Sequence, residues 1–339
     1  MSERLLALIK GFADRRVLVV GDIIADEFIY GQVSRMSREA PVLILKYDAT
    51  EIVAGGGGNA ANNVAALGGR ARLAGIVGRD VEGRRLLSGL PRGVDRTQIV
   101  RARQYRTPVK TRILAGGIHS AKQQVVRIDR ETAWPLADAV SRAFAAKVSP
   151  LVKDCDAVIL SDYGSGLVTP ALAQRLRSAE GRRHVPILVD SRYRLLEYRG
   201  MTTCTPNESE VEQVLGLRID DDLDVLERAG REVLRRTRSM AVLITRGSRG
   251  MALFQPRRKT VHIPIFGSNE VADVTGAGDT VIATFALALA SGGSFEDAAH
   301  LANYAGGLVV MKRGTATVSA RELATAVRSV DKVLATHSR

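Results

Sequence analysis

DVTGAGDTVIATFALALA, from Asp273 to Ala290, is the stretch of sequence that decides the fold. Its glycine-rich turn, Gly276-Ala277-Gly278, leads directly into an apolar helix that we predict over 277–290. The first N–H groups of a helix have no partner within it, and the helix dipole favours anions at this end. Such a turn can stabilise negative charge that develops on a phosphoryl group. The stretch therefore predicts an anion site at the beginning of an apolar helix.

Asp279 follows this turn at once, in the first turn of the predicted helix. A carboxylate beside an anion site is electrostatically costly unless it has a task, and accepting a proton from an attacking hydroxyl is one such task. Aspartate is also a common cap at the beginning of a helix. The local pattern alone leaves both roles open, a catalytic base and a helix cap.

A second glycine-rich stretch, AGGGGNAANNVAALGG, covers residues 54–69. Its four consecutive glycines let the backbone approach a ligand closely. Asn59, Asn62 and Asn63 stand among small residues, which suggests polar side chains directed at a hydroxyl-rich ligand; a tight turn with a helix cap is the alternative. The glycines also fit a loose dinucleotide fingerprint, but they lie well after the first strand and not at its end, which disfavours that interpretation.

Apolar segments along the chain predict an α/β fold with a mostly parallel sheet. After about residue 150, short apolar strands alternate with helical stretches, a pattern typical of βαβ units. We expect one domain over 1–339 that carries a small β lid drawn from about 23–47 and 99–128. The predicted strands are VLVVGD (17–22), VLILKY (42–47), VKTRIL (109–114), QQVVRI (123–128), AVILSD (157–162), PILVD (186–190), TTCTP (202–206) and AVLITRG (241–247).

Composition restricts the possible partners. The formal net charge of the 339 residues is +13, but the basic residues are scattered and aromatic residues make up 4%, too few for nucleic-acid stacking. Cys155 and Cys204 lie far apart with no CxxC motif, which disfavours a zinc site or a disulfide framework. No apolar run is long enough to span a membrane, and the first residues do not resemble a signal peptide. We expect a cytoplasmic protein that binds neither nucleic acid nor membrane.

The two glycine-rich stretches together resemble the two signature regions of the ribokinase/PfkB carbohydrate kinases. TPNESE (205–210), LITRGSRGM (243–251) and ANYAGGLVVMKRGT (302–315) are similar to further elements of that family, in the same order. A Walker-type phosphate loop, G-x-x-x-x-G-K-[ST], does not occur in the sequence. The resemblance covers essentially the whole chain and implies a three-layer α/β/α ribokinase-like fold. It also implies that the protein uses ATP as cosubstrate and Mg²⁺ as metal ion.

The resemblance also implies roles for residues at the phosphoryl-transfer end of the site. Asp279 would deprotonate the acceptor hydroxyl, and the backbone of Gly276, Ala277 and Gly278 would form the anion hole. Glu210 would face the hydration shell of Mg²⁺, and Asp273 and Thr275 would lie near a potassium ion. The residues implied along the nucleotide are Asn207, Glu210, Thr245, Gly247, Gly250 and Asn303.

At the sugar end, the resemblance implies that Asp22, Gly56, Asn59 and Asn63 contact the sugar. Within the family the chain is most similar to the heptose 7-phosphate kinases, the kinase half of a bifunctional lipopolysaccharide-heptose enzyme. The second half of that enzyme is missing here, so we expect a stand-alone kinase. The resembling stretches are GDIIADEFIYGQVSRMSREAPVLIL (21–45), TPVKTRIL (107–114), QQVVRID (123–129), LSDYGSG (160–166) and YRGMTTCTPNESE (198–210).

Two departures from that branch concern the basic residues that would meet a phosphate on the substrate. Ser165 stands where the branch has lysine, and Ser191-Arg192-Tyr193 replaces a lysine-containing element. Fixed positive charge is an efficient way to bind a phosphomonoester, and the remaining basic candidates are Lys110, Arg112, Arg127 and Arg192. Ribose, fructose or a fructose phosphate therefore stay open as substrates.

The resemblance further suggests a homodimer that pairs through the β lid; a monomer with a free lid is the alternative. A non-catalytic sugar- or nucleotide-binding regulator with the same fold is the competing hypothesis from another class of protein. An intact GAGD turn with its aspartate argues against that regulator, because a protein that only binds has no need for a base.

Overall fold

The computed structural model describes residues 2–116, 122–131, 138–181, 184–267, 273–312 and 314–337. Residues 117–121, between the predicted strands VKTRIL and QQVVRI, lie outside the described residues. Among the described helices, none is both long enough and apolar enough to cross a bilayer.

The central sheet has nine strands in the order β13-β12-β11-β10-β9-β8-β1-β4-β5. The seven strands from β11 to β5 run parallel, and at one edge β12 pairs antiparallel with β11 and β13 pairs antiparallel with β12. The strands are β1 (Arg16–Gly21), β4 (Arg70–Gly78), β5 (Val94–Ala102), β8 (Ala157–Asp162), β9 (Ile187–Ser191), β10 (Thr203–Cys204), β11 (Ala241–Thr245), β12 (Met251–Phe254) and β13 (Val261–Ile263).

A separate four-stranded sheet, which we call the lid, has the order β3-β2-β6-β7. Its strands are β2 (Ile23–Met36), β3 (Leu43–Gly56), β6 (Val109–Gly116) and β7 (Gln123–Arg130). The strands β6 and β7 pair antiparallel. The predicted range 99–128 is corrected at its beginning, because residues 99–102 belong to β5 and pair with β4 in the central sheet.

Ten α-helices are described, and most of them flank the central sheet. They are α1 (Ser2–Gly11), α2 (Gly57–Ala66), α3 (Val81–Gly89), α4 (Asp138–Val148), α5 (Pro170–Ser178), α6 (Glu208–Leu215), α7 (Leu223–Thr237), α8 (Ala277–Ala290), α9 (Phe295–Val310) and α10 (Ala320–His337).

Side chains of the central strands alternate between two apolar cores, one on each face of the sheet. In β1, Val17 and Val19 contribute to the core beneath α2, α8 and α9, whereas Leu18 and Val20 contribute to the core beneath α5 and α7. A buried parallel strand is apolar on both faces for this reason. The arrangement confirms the predicted α/β/α layering with a mostly parallel sheet.

The carboxyl ends of the parallel strands place functional loops along one edge of the sheet. Asp22 follows β1, Tyr163 follows β8, and Asn207 comes shortly after β10. Ligands of open α/β sheets bind at this edge, because the loops after parallel strands converge there. The fold thereby brings together residues that lie far apart in the sequence.

Candidate active site

The turn before α8 has the backbone shape that an anion site needs. Gly276 is the N-cap of α8 and adopts a left-handed conformation, with φ of 77°. A Cβ atom at this position would collide with Nδ2 of Asn59, so glycine is required both for conformation and for space. The N–H groups at the beginning of α8 lie at the cavity that Gly276, Ala277 and Gly278 help to line.

Asp279 is buried at the end of that cavity, with 3% of its surface exposed. Its Oδ2 accepts a hydrogen bond of 2.8 Å from Nδ2 of Asn59, and its Oδ1 accepts one of 3.2 Å from the hydroxyl of Tyr163. Burial raises the pKa of Asp279 to about 7, while the bond from Asn59 opposes the rise. A carboxylate with this pKa is suited to accept a proton at neutral pH. Its side chain makes no capping bond, which argues against the helix-cap alternative.

Asn63 lies behind Asn59 and holds it in place. Nδ2 of Asn63 donates to the backbone oxygen of Asn59 at 3.0 Å and to its Oδ1 at 3.2 Å. Oδ1 of Asn63 accepts a bond of 2.8 Å from the hydroxyl of Thr280. Asn63 is fully buried and outside the cavity lining, so the bonds described here are those of a positioning residue between α2 and α8. Its expected contact with the sugar stays a prediction.

A cavity of about 420 Å³ extends from Asp279 along the ends of β9, β10 and β11. All six residues expected along a nucleotide line it: Asn207, Glu210, Thr245, Gly247, Gly250 and Asn303. The volume falls in the usual range for cofactor sites. Sequence reasoning missed the apolar part of its wall, which consists of Met251, Ile265, Val274, Val281 and Val310.

Asn207 and Glu210 form a capping box at the beginning of α6. Oδ1 of Asn207 accepts from the N–H of Glu210 at 2.9 Å, and Oε2 of Glu210 accepts from the N–H of Asn207 at 2.9 Å. Asn207 is therefore the N-cap of α6. Both residues also line the cavity, so the capping box fixes two polar groups at the wall.

The carboxylates of Asp190 and Glu210 line the same cavity. Burial raises the pKa of Asp190 well above its usual range, and the nearby charge of Glu210 adds to the rise. Burial also raises the pKa of Glu210. Mg²⁺ in phosphoryl-transfer sites is held by one or two carboxylates together with phosphate oxygens and water. This pair fits such an ion, although no cluster of three or more potential ligands occurs among the described residues.

Asp22 follows β1 and is almost fully buried. Its Oδ2 accepts from the N–H groups of Tyr163 at 2.8 Å and Ser165 at 3.2 Å, and the hydroxyl of Ser165 also favours the charged form of the carboxyl. Burial raises the pKa of Asp22 to about 6. Asp22 thus fixes the turn after β8. Gly56 lies buried nearby, against the ring of Tyr163.

Three of the four basic residues expected at the sugar differ in their surroundings, and the fourth, Arg192, lies over the ring of Tyr193. Arg112 forms an ion pair with Asp26, and both side chains are largely buried. Arg127 makes two bonds to Asp129, of 2.9 and 3.1 Å, on the exposed strand β7. Lys110 lies over the ring of Tyr163, with Nζ 4.8 Å from the ring centroid. Of the three, Lys110 is the one brought next to a residue that contacts Asp279.

The expected potassium-binding residues Asp273 and Thr275 lie in the turn that precedes α8. Oδ1 of Asp273 accepts from the N–H of Thr275 at 2.8 Å, and Oδ2 accepts from the N–H of Gly314 at 3.1 Å. Both carboxylate oxygens therefore serve to fix the loop. Residues 268–272, which precede this loop, lie outside the described residues.

Tyr163, Asp190 and Asp26 are site residues that the sequence analysis did not assign. Tyr163 and Asp190 lie at the carboxyl ends of β8 and β9, so a sequence signal was available in their position at strand ends. Asp26 lies within the lid strand β2, and its charge contributes to the raised pKa of Asp279. The strand pattern of β2 carries no comparable signal for Asp26.

The fold and the site define a small-molecule kinase: a buried base next to an anion-binding helix end, open to a nucleotide-sized cavity. The chain belongs to the pfkB family of carbohydrate kinases, whose family model matches residues 14–322.

Proteins of similar sequence support the assignment as a kinase. The chain is 41% identical over 312 residues to the bifunctional protein HldE of Geobacter metallireducens. This match covers 91% of this chain and 62% of that protein. It is 41% identical over 323 residues to the bifunctional protein HldE of Gluconacetobacter diazotrophicus, covering 94% of this chain and 65% of that protein. The chain thus spans less than two thirds of the length of these relatives.

Solved structures show the same fold at low sequence identity. A ribokinase of Arabidopsis thaliana, in complex with ribose and ATP, is 21% identical with a TM-score of 0.71, and the match covers 93% of this chain and 99% of that one. Phosphofructokinase-2 of Escherichia coli, in complex with potassium, is 19% identical with a TM-score of 0.73, covering 94% and 99%. The ribokinase-like fold is therefore confirmed.

Proposed function

We propose that the protein transfers the γ-phosphoryl group of ATP to a sugar hydroxyl, and that its substrate is D-glycero-β-D-manno-heptose 7-phosphate, which becomes the 1,7-bisphosphate. The observation that carries the proposal is the buried Asp279, held by Asn59 and Tyr163 beside the anion-binding turn. The heptose specificity rests on the resemblance to the heptose 7-phosphate kinases and on the similarity to HldE proteins along more than nine tenths of the chain.

In the proposed mechanism Asp279 accepts the proton of the acceptor hydroxyl as that oxygen attacks the γ-phosphorus. The N–H groups at the beginning of α8 stabilise the charge on the transferred group. Asn59 keeps Oδ2 of Asp279 oriented, and Tyr163 holds Oδ1 until substrate binds. The hydroxyl of Tyr163 occupies a donor position on Oδ1, and we propose that the acceptor hydroxyl takes this position when substrate binds.

Asp190 and Glu210 would hold Mg²⁺ together with its water shell and the nucleotide phosphates. The ion supplies neutralisation of the charge on the phosphate oxygens. Burial raises the pKa of both carboxyl groups, and a bound cation would favour their charged forms. A potassium ion near Asp273 and Thr275 remains part of the proposal by family analogy.

We propose that the lid pairs with the lid of a second copy to form a homodimer. Several large apolar side chains of the lid are exposed, and an interface would remove them from water. They are Val33, Met36, Leu43, Tyr47, Val125, Val126 and Ile128. Replacement of Tyr47 and Val126 by glutamate should convert a dimer to a monomer in analytical ultracentrifugation; a wild-type protein that sediments as a monomer contradicts the proposal.

We place the reaction in the cytoplasm, where ATP is available and thiols stay reduced. Cys155 and Cys204 are both free and buried, which suits a reducing compartment.

A coupled assay of ADP release with heptose 7-phosphate, fructose 6-phosphate, fructose and ribose tests the proposed function. We expect the highest kcat/KM with heptose 7-phosphate. Preference for ribose or fructose would refute the heptose assignment but would be consistent with the assignment as a sugar kinase. Tight sugar binding by calorimetry without ADP release from any sugar would favour the regulator hypothesis instead.

A further inference from the structure

The turn after β11 forms part of the wall of the large cavity. Gly247, Ser248 and Gly250 line this cavity together with Thr245, the last residue of the strand. Gly247 and Gly250 both have a positive φ, of 56° and 81°. Glycine has access to many backbone conformations, so a turn built on two of them needs restraint from its neighbours to keep one shape.

Backbone hydrogen bonds close this turn and attach it to the loop before α6. The N–H of Arg246 donates to the oxygen of Gly250 at 2.8 Å, and the N–H of Arg249 donates to the oxygen of Arg246 at 3.0 Å. The N–H of Thr245 donates to the oxygen of Pro206 at 2.9 Å. The beginning of α6 is therefore next to the turn.

Glu208, the first residue of α6, joins both ends of the turn through its side chain. Its Oε1 accepts a bond of 2.6 Å from Nε of Arg246, and its Oε2 accepts a bond from the guanidinium group of Arg249. Arg246 precedes Gly247-Ser248 in the sequence and Arg249 follows it. One carboxylate thus restrains the turn from both sides, and we call Glu208, Arg246 and Arg249 the clamp.

Burial makes the clamp a costly arrangement. The side chains of Glu208 and Arg246 are 10% and 7% exposed, whereas that of Arg249 is 41% exposed. Desolvation offsets much of the attraction within a buried ion pair, so such a pair is a poor source of stability. What it does provide is fixed geometry, because both oxygens of Glu208 are engaged and its side chain has one orientation.

The three clamp side chains act on the cavity indirectly. None of them is among the described residues that line it, whereas the Gly247-Ser248 turn between the two arginines does line it. Glu210, two residues after Glu208, faces the cavity itself. The two glutamates at the beginning of α6 therefore have different surroundings and different tasks.

We infer that Glu208 is a positioning residue for nucleotide binding, which acts by holding Arg246 and Arg249 and thereby the turn between them. A wall that already has its bound shape loses less conformational freedom when the nucleotide binds, and affinity rises accordingly. The inference rests on the proposed kinase function, in which the cavity takes ATP.

Arg249→Gln is the first test, because Arg249 is the exposed member of the clamp and its loss should leave the fold intact. We expect the KM for ATP to rise about fivefold, with kcat and the KM for heptose 7-phosphate each within about twofold of wild type. Arg249→Lys should recover part of the affinity, since it restores the charge. An unchanged KM for ATP in Arg249→Gln would overturn the inference.

Asp221→Asn is the matched control for Arg249→Gln. Asp221 also pairs with Arg249, but its side chain is 90% exposed and it lies outside the clamp. The variant removes one carboxylate partner of Arg249 and leaves Glu208 in place. The KM for ATP should therefore stay that of wild type, and a rise equal to that of Arg249→Gln would assign the effect to Asp221 instead.

Glu208→Gln removes the charge at the centre of the clamp, and the KM for ATP should rise about 10-fold. The variant also leaves Arg246 buried without its carboxylate, so its thermal unfolding midpoint should fall. The double variant Glu208→Leu/Arg246→Met replaces the buried pair by apolar side chains and should recover the midpoint but not the affinity. A wild-type KM for ATP in that double variant would contradict the positioning role.

A double-mutant cycle tests whether Glu208 and Arg249 act through one restraint. Glu208→Gln/Arg249→Gln should have nearly the same KM for ATP as Glu208→Gln alone, because the second change removes a restraint that is already lost. Independent, multiplied losses would overturn the clamp.

Calorimetry with ADP alone separates this inference from the proposed kinase activity. Wild type should bind ADP about fivefold more tightly than Arg249→Gln, and this result supports the inference even if no sugar is phosphorylated. Equal affinity of ADP for wild type, Arg249→Gln and Glu208→Leu/Arg246→Met refutes it even if the kinase is active. So does an equal loss of affinity for heptose 7-phosphate and ADP, which would indicate a general change of structure.

Discussion

Nδ2 of Asn59 donates a hydrogen bond of 2.8 Å to Oδ2 of Asp279, although 220 residues separate them in the sequence. The two residues lie in the first turns of α2 and α8, which pack against each other. The two glycine-rich stretches of the sequence are thus parts of one site, in which the first stretch orients the base of the second.

The pH dependence of the reaction should follow Asp279. Its pKa of about 7, raised by burial, means that the carboxylate is protonated in a growing fraction of molecules as the pH falls below 7. Only the deprotonated form accepts a proton, so kcat/KM should fall about tenfold per pH unit well below that pKa and level off above it. A profile of kcat/KM between pH 5 and 9 measures this; a flat profile down to pH 5 contradicts it.

Tyr163→Phe should move that acidic limb to higher pH. The hydroxyl of Tyr163 donates to Asp279 and stabilises its charged form, so its removal raises the pKa of Asp279. Phenylalanine keeps the ring beneath Lys110 and against Gly56. The measurement is the same pH profile on the variant, and a limb that stays in place or moves to lower pH would show that the bond has no effect on the base.

Gly276→Ala should reduce kcat by about 10-fold or more, because the new Cβ collides with Nδ2 of Asn59 and displaces the partner of Asp279. The positive φ adds a cost of about 1–2 kcal/mol in the free energy of unfolding. Gly292→Ala is the matched control, since Gly292 also has a positive φ but no atom within 4 Å of its Cβ position. Urea unfolding should show similar destabilisation in both, and kinetics should show a loss only in Gly276→Ala.

Glu210→Gln should raise the Mg²⁺ concentration required for half-maximal activity by about 10-fold. Glutamine keeps the capping box with Asn207 at the beginning of α6 and removes the charge alone. A magnesium titration at fixed ATP measures the effect, and thermal unfolding should show that the fold is unchanged. An unchanged magnesium requirement would exclude a role for this carboxylate near the ion.

The helices and strands of the second half of the chain were predictable because their apolar segments are regularly separated. The bounds of α8, residues 277–290, are those that the sequence predicts. The helix α1 and the strands β4 and β5 were not identified, since α1 and β4 have only short apolar runs and charged residues interrupt the apolar ones of β5. Tertiary packing, and not local pattern, stabilises such elements.

Within the site, the nucleotide-side residues followed from their motifs, whereas the roles of basic residues did not. Lys110 and Arg112 are two residues apart on β6, yet Arg112 is paired with Asp26 and Lys110 is not paired with any described carboxylate. Ion pairs of this kind join different strands, so the sequence alone does not reveal which cation is left for a ligand. The bond between Tyr163 and Asp279 is equally nonlocal.

Asp279→Asn tests the central claim most directly, because asparagine keeps the size of the side chain and removes the base. The measurement is phosphoryl transfer from ATP to heptose 7-phosphate by ADP release, with calorimetry of ATP and sugar binding on the same protein. We predict a loss in kcat of about 10²–10⁴-fold with both ligands still bound. Phosphoryl transfer at a near wild-type rate would contradict the assignment of Asp279 as the catalytic base.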